Sequence, residues 1–215
     1  MIENLIRRFF GNDICSEFIL WRYVYRHSPS ISECVSPMNV WVFDNTRFTN
    51  GFADRLRGII AVYALSKCMG IPFRIVHESP FQLSRFFAPN KYNWSILDGI
   101  SYNYRQSSPI VFFEDKNKYW RMFYLSKRRQ WHFYTNADAL NLINRKLHTN
   151  FSYSELFREL FKPSDYLLKE LSLYSNYIKE GFVSVSFRFM QLMGDFKDCR
   201  GKTLTIIEQD SLITK

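Results

Sequence analysis

Asn50-Gly51-Phe52-Ala53-Asp54-Arg55-Leu56-Arg57-Gly58-Ile59-Ile60 is the stretch on which the fold turns. Ahead of it stands Val40-Trp41-Val42-Phe43, a nearly all-apolar run of the kind found in a strand buried on both faces. Behind it Leu56, Ile59, Ile60, Tyr63 and Ala64 form an apolar stripe at helical spacing, widened by Val62 and Leu65. That pattern predicts a mostly covered helix from Asp54 to Met69. Gly70 is placed to end it, and Pro72 prevents its continuing. Phe73-Arg74-Ile75-Val76 then reads as the next strand. Strand, glycine turn, helix, glycine stop and strand within about 35 residues make a βαβ unit with parallel strands.

Asp54, Arg55 and Arg57 fall at the start of that helix, where backbone N–H groups lack intrahelical partners. Such a turn can hold an anion or aim a side chain into a cleft. By residue type alone Asp54 reads as a plain helix N-cap, and Arg55 and Arg57 as solvated charges.

Upstream, Ile2, Leu5, Ile6 and Phe9, then Phe18, Leu20, Trp21 and Val24, recur at helical spacing over residues 1–27, with a break near Gly11-Asn12-Asp13. The aromatics and arginines of Trp21 to Arg26 also suit a membrane interface. Four arginines against three acids leave the segment too little positive charge to hold it on anionic lipid, which favours a helix packed on the domain. Downstream, Leu83 to Phe87 reads as a short helix, and Trp94 to Leu97, Pro109 to Phe113 and Trp131 to Tyr134 as strands. A helix start is expected at Asn136, and a helix over Phe151 to Phe161. Pro163-Ser164-Asp165 caps another helix, which Gly181 ends, and Phe182 to Phe187 alternates like a strand. The tail from Gly201 to Lys215 begins a helix pattern at Thr205.

The formal net charge is +9, yet residues 1–50 hold five basic and five acidic side chains, so the excess lies after residue 50. A basic N-terminal arm for nucleic acid is thereby excluded. The four cysteines are scattered without a C-x-x-C pair, which argues against a zinc site or disulfide framework and fits a reducing cytoplasm. No apolar run reaches membrane-spanning length, and Arg7, Arg8 and Asp13 interrupt any signal-peptide core. The four histidines are dispersed, each reading as a surface or satisfied core residue. Residues 116–130 carry six basic side chains and no acid, interleaved with Tyr119, Trp120, Phe123 and Tyr124. A solvated loop is the plain reading; an acceptor- or membrane-facing surface, or a nucleic-acid patch, are the functional ones.

Asn50 to Arg55 lacks the third glycine of the dinucleotide motif and the Gly-Lys-Ser/Thr of a P-loop. Gly51-x-Ala53-Asp54-Arg55, opening an apolar helix that ends in a glycine and a strand, instead resembles the G-x-G-[N/D]-[R/Q] segment of fucosyltransferases. These are the α-1,2, nodulation-factor and protein O-fucosyltransferases. Leu160-Phe161-Lys162-Pro163-Ser164, followed by Ser184-Val185-Ser186-Phe187-Arg188-Phe189, is similar to the same families' later portion, a Phe-x-Pro-Ser/Thr segment and a His-x-Arg strand. Ser186 stands at the histidine position, and the Arg-x-Asp that often follows is absent.

The resemblance implies an α/β protein: the Rossmann-like N-terminal domain of a GT-B glycosyltransferase, with the first strand and helix start of a second domain. Residues 1–180 would be the acceptor-side domain and 181–215 the beginning of the nucleotide-sugar domain, cut short, leaving the chain nearly inactive. Fucose would pass from GDP-fucose to a glycan hydroxyl with inversion, the glycan belonging to a surface polysaccharide. Asn50, Gly51, Phe52 and Arg188 would bind the donor, and Asp54, Arg55 and Arg188 would be catalytic. Arg188 would hold the β-phosphate and stabilise the leaving pyrophosphate; no cofactor or metal is expected. The expected setting is cytoplasmic, with peripheral membrane contact left open and no nucleic-acid partner. The alternatives are a basic-aromatic nucleic-acid-binding module and a non-catalytic glycan-binding remnant.

Overall fold

In the computed structural model, which describes residues 2–31, 35–43, 51–78, 81–112 and 116–174, four strands form the central sheet. They are β1 (Asn39–Phe43), β2 (Phe73–His77), β4 (Ser107–Val111) and β5 (Gln130–Tyr134), ordered β2-β1-β5-β4. Every pairing is parallel, with Phe43 opposite His77, and Trp41 between Ile75 and Phe133. Residues 1–171 form one compact unit; a second takes in 172–215, of which 172–174 are described. The expected βαβ unit is β1, α2 (Phe52–Met69) and β2.

Strand alternation separates two cores. Trp41, Phe43, Phe73, Ile75, Ile110 and Phe133 face one side, packed with Ile59, Ile60, Tyr63 and Ala64 of α2. α3 (Leu140–Leu147) and α4 (Tyr153–Leu160) add Leu140, Ile143, Leu156 and Leu160 to that layer. Each large side chain so buried stabilises the fold by about 1.5–3 kcal/mol. Val40, Val42, Val76, Val111 and Tyr134 face the other side, under Leu20 and Tyr25. Leu20 ends α1 (Ile2–Leu20), and a π-helical turn, Trp21–Tyr25, follows it.

Two glycines of α2 have definite work. Gly70 takes the left-handed conformation, φ 66°, with Gly70 N–H donating to Lys67 O and Ile71 N–H to Ser66 O. A Cβ on Gly58 would stand 2.2 Å from Thr135 O, so only glycine lets α2 approach the segment after β5. Polar bonds add register: Asn39 Nδ2 donates to Ser66 Oγ at 2.9 Å, and Ser66 Oγ to Val62 O at 2.7 Å.

Several expectations shift. Leu83–Arg85 is a single 3-10 turn, and Phe87 belongs to β3 (Phe87–Pro89). Trp94 to Leu97 forms no strand; Trp94 O accepts Ile75 N–H at 3.1 Å and its indole donates to Leu160 O at 2.9 Å. That segment covers the β2 edge without forming a ladder. The helix expected at Asn136 begins at Leu140, because Thr135 Oγ1 accepts Ala137 N–H at 3.0 Å and donates to Phe112 O at 2.7 Å, holding 135–139 as a loop. β6 (Phe161–Pro163) pairs antiparallel with β3. Ser164 Oγ then accepts Leu167 N–H at 3.2 Å, capping α5 (Asp165–Tyr174) as read from Pro163-Ser164-Asp165.

The N-terminal segment packs only in part. α1 is broken at Gly11, and Asp13, Cys15 and Leu20 are buried beyond the break, while Ile2, Leu5 and Phe9 before it are exposed.

Candidate functional site

Because all four strands run one way, their carboxyl ends share an edge, where ligands of open parallel sheets bind. α2 starts at this edge. Its N-cap is Gly51, whose carbonyl accepts Asp54 N–H at 3.1 Å and Arg55 N–H at 3.3 Å. Asp54 is therefore not the N-cap that its type suggested; it occupies the third helical position, where a carboxylate favours the helix dipole.

The neighbours Asp54 and Arg55 part company. Asp54 Oδ1 accepts from Arg57 Nη1 at 3.2 Å, both side chains about half exposed. Arg55 turns inward and is only 8% exposed. Its guanidinium carbon stands 3.8 Å from the centre of the Phe43 ring, and Nη1 is 3.4 Å from His77 Nε2. The solvated-charge reading holds for Arg57 and fails for Arg55, because side chains two residues apart on a helix are turned about 200° from each other, onto nearly opposite faces.

His77 has its tautomer set by this arrangement. Nδ1 is 2.9 Å from Phe81 O, and a carbonyl can only accept, so Nδ1 carries the proton and Nε2 offers its lone pair to Arg55. Burial lowers the His77 pKa, and the Arg55 charge lowers it further. Burial likewise lowers the pKa of Arg55. Arg55 Nε is buried without a hydrogen-bond partner, and no carboxylate pairs with this guanidinium among the described residues. Among the described residues the result is a cation without a counter-charge in an aromatic nest.

Phe52 belongs to that nest. Its ring stacks on Phe87 at 6.0 Å and meets Phe81 edge-on at 5.5 Å, while Gly51 is exposed. Asn50 and Arg188 lie outside the described residues.

On the outer side of the α2 start lies an open cleft of about 630 Å³. Arg57 and Leu56 line one wall, Asp138 and Asn141 from the segment after β5 another, and Phe151 and Tyr153 at the head of α4 close it. Burial raises the Tyr153 phenol above its usual value, Arg57 pulls it down and Asp138 pushes it up, so the three share one electrostatic field. Asp138 and Asn141 also face a second cavity of about 380 Å³ with Tyr119 and Arg145. A carboxylate, an amide and a guanidinium beside aromatic faces can hydrogen-bond a polyhydroxylated ring and cover its apolar side.

Comparisons with family models, curated proteins and solved structures find no match.

Sequence reasoning passed over Gly58, Asp138 and Tyr153, and took His77 only as a surface or satisfied core residue. His77 was legible as a polar end to the strand following the helix. Gly58 was legible as a lone glycine amid the apolar residues of α2. Asp138 and Tyr153 carried no local signal, since only folding brings them to Arg57.

Tertiary contacts also consume much of the basic stretch. Arg121 makes a bidentate pair with Glu17, 2.9 Å at each nitrogen, Lys127 Nζ donates to Met69 O, and Arg129 Nη2 donates to Tyr104 O and Ser107 O. Tyr119 and Met122 are buried, and residues 116–124 form a 3-10 helix rather than a solvated loop. Among the described residues, no group of three or more His, Cys, Asp or Glu comes together.

Proposed function

We propose that this chain is the acceptor side of a fucosyltransferase-like glycosyltransferase, moving fucose from GDP-fucose to a glycan hydroxyl with inversion. The observation that carries the reading is the cleft beside the start of the glycine-opened α2, at the carboxyl side of the parallel sheet, lined by Arg57, whose guanidinium is also paired with Asp54. It supports the resemblance of Gly51-x-Ala53-Asp54-Arg55 because the motif lies where an α/β sheet receives ligands.

In this reading the glycan lies in the cleft against Tyr153 and Phe151, hydrogen-bonded by Asp138 and Asn141. Its hydroxyl oxygen attacks fucose C1 as the bond from C1 to the β-phosphate oxygen breaks. The bonding electrons leave with GDP, and Arg188 stabilises the charge gathering there. The hydroxyl proton goes to a carboxylate or to water, and Asp54, steadied by Arg57, orients the hydroxyl. Arg55 becomes a positioning residue, because its guanidinium is occupied by Phe43 and His77.

The test is a binding screen against surface polysaccharides, followed by addition of GDP-fucose and mass analysis of the glycan. The reading expects glycan binding weakened by Tyr153→Ala, and Arg188→Ala to abolish what little fucose transfer a nearly inactive chain retains. Glycan binding without transfer would leave the remnant reading in place. Binding to neither glycan nor GDP-fucose, with salt-dependent RNA binding instead, would favour the nucleic-acid module.

A further inference from the structure

Ile2, Leu5 and Phe9 form an exposed apolar face on the first segment of α1. Gly11, at φ 83° and ψ 176°, breaks α1 into two segments meeting at a corner. In the second, Cys15 and Leu20 are buried and Glu17 reaches the sheet, accepting Val111 N–H at 2.9 Å. In the first, Ile2 is 55%, Leu5 51% and Phe9 71% exposed. At about 100° per residue these three share an arc of about 60°; Ile6 and Phe10 widen it to about 140°, and Arg8 and Arg7 stand about 60° beyond its two edges.

The charge around this face differs from the sum along the chain. Residues 1–26 contain four arginines and three acids, a nearly neutral segment. Folding engages all three acids. Glu3 Oε1 accepts from Tyr23 Oη at 3.2 Å, Asp13 is buried, and Glu17 is held by Arg121. Arg7, Arg8, Arg22 and Arg26 make no ion pair among the described residues. Arg22 lies over Tyr23 and Arg26 over Trp21, rings that are themselves 57% and 36% exposed. Exposed apolar side chains, two interfacial aromatics and unpaired arginines are the features of a helix lying in a lipid headgroup layer.

We infer that the first segment of α1 docks this protein on an anionic membrane surface. Ile2, Leu5 and Phe9 enter below the headgroups, and Arg7, Arg8, Arg22 and Arg26 meet lipid phosphates. No helix among the described residues is long and apolar enough to cross the bilayer, so the contact is peripheral. A second copy suits the face less well. A two-fold contact would bring both copies' Arg7 and Arg8 to one interface, and the nearby Glu3 is already engaged by Tyr23.

The experiment is flotation of the full chain with phosphatidylcholine vesicles, with and without about a third phosphatidylglycerol. Phe9→Asp and Arg7→Glu/Arg8→Glu are compared at matched thermal stability. The expected result is binding to anionic vesicles only, reduced about tenfold or more by either variant and weakened at high salt. Equal vesicle binding by wild type and Phe9→Asp would overturn the proposal, leaving non-specific adsorption of a basic protein. So would absence of vesicle binding. A concentration-dependent dimer that Phe9→Asp dissociates, without vesicle binding, would assign the face to a second copy instead.

Discussion

The Arg55 guanidinium carbon lies 3.8 Å from the centre of the Phe43 ring, so a cation from the first turns of α2 is stacked on the last residue of β1. A cation–π contact offsets part of the cost of removing the guanidinium from water, but one hydrogen bond to a neutral histidine leaves Nε unanswered.

If Arg55 is held there to receive an anion, the charge is dispensable for folding. Arg55→Met, which keeps the length and removes the charge, is expected to leave stability within about 1 kcal/mol of wild type or to raise it. Arg55→Ala opens a cavity beside Phe43 and should cost about 2–3 kcal/mol. Urea midpoints of the two variants check this, and equal losses would show that the charge itself holds the fold together.

Gly58 and Gly51 should respond oppositely to alanine. At Gly58 the new methyl meets Thr135 O and Asn136 Cα, both backbone atoms, so α2 must move off the sheet. The expected loss is about 3 kcal/mol or more. At Gly51 the nearest atom is Asp54 Oδ2 at 4.0 Å, and φ is −59°, so Gly51→Ala should fall within about 0.5 kcal/mol of wild type. Thermal unfolding of both variants reads the contrast directly.

Stability should fall in acid through His132. This residue is fully buried in β5, with Nδ1 2.7 Å from Tyr25 Oη and Nε2 without a partner. Burial pushes its pKa down to about 3. The unfolded chain takes up this proton near its ordinary value of about 6.5, so between the two values the unfolded state holds more protons and acid favours unfolding. The contribution is complete above about pH 6.5 and is lost toward about pH 3, with a slope of up to about 1.4 kcal/mol per pH unit. Denaturant titrations across that window should show a shallower slope for His132→Phe than for wild type. An unchanged slope would mean that His132 does not report on folding.

Glu17 ties the second segment of α1 to the sheet edge. Its carboxylate takes the Val111 N–H and both outer nitrogens of Arg121. Glu17→Ala should cost about 1–3 kcal/mol, because Val111 N–H loses its acceptor and Arg121 its counter-charge. Limited proteolysis should then cut near Gly11 to Leu20 sooner than in wild type. Unaltered proteolysis would show that Leu20 and Tyr25 anchor the helix unaided.

Much of the architecture was legible along the chain. The apolar run at Val40 to Phe43, the stripe from Leu56 to Leu65, and Gly70 with Pro72 placed β1, α2 and β2 within two residues. The strand at Trp131 to Tyr134 and the helix before Pro163 were equally clear. Less was legible where a backbone group finds a distant partner. Trp94 to Leu97 has strand-forming residues, but its indole and carbonyl bond to Leu160 and Ile75 instead. The helix expected at Asn136 is delayed by a Thr135 hydroxyl bonded to Phe112, 23 residues away.

By itself the sequence determined the alternation of strands and helices, the glycine turn that opens α2, and the apolar faces that form the two cores. These follow from periodicity and from backbone limits of glycine and proline, which act over a few residues. Only the tertiary structure decided which charges remain available. Arg55 goes inward while Arg57 stays at the cleft, paired with Asp54, and Arg121 is taken by Glu17, 104 residues away, leaving Arg7 and Arg8 without an acid partner among the described residues. A charge's role depends on what lies within a few ångströms of it, and the chain must fold before those neighbours exist.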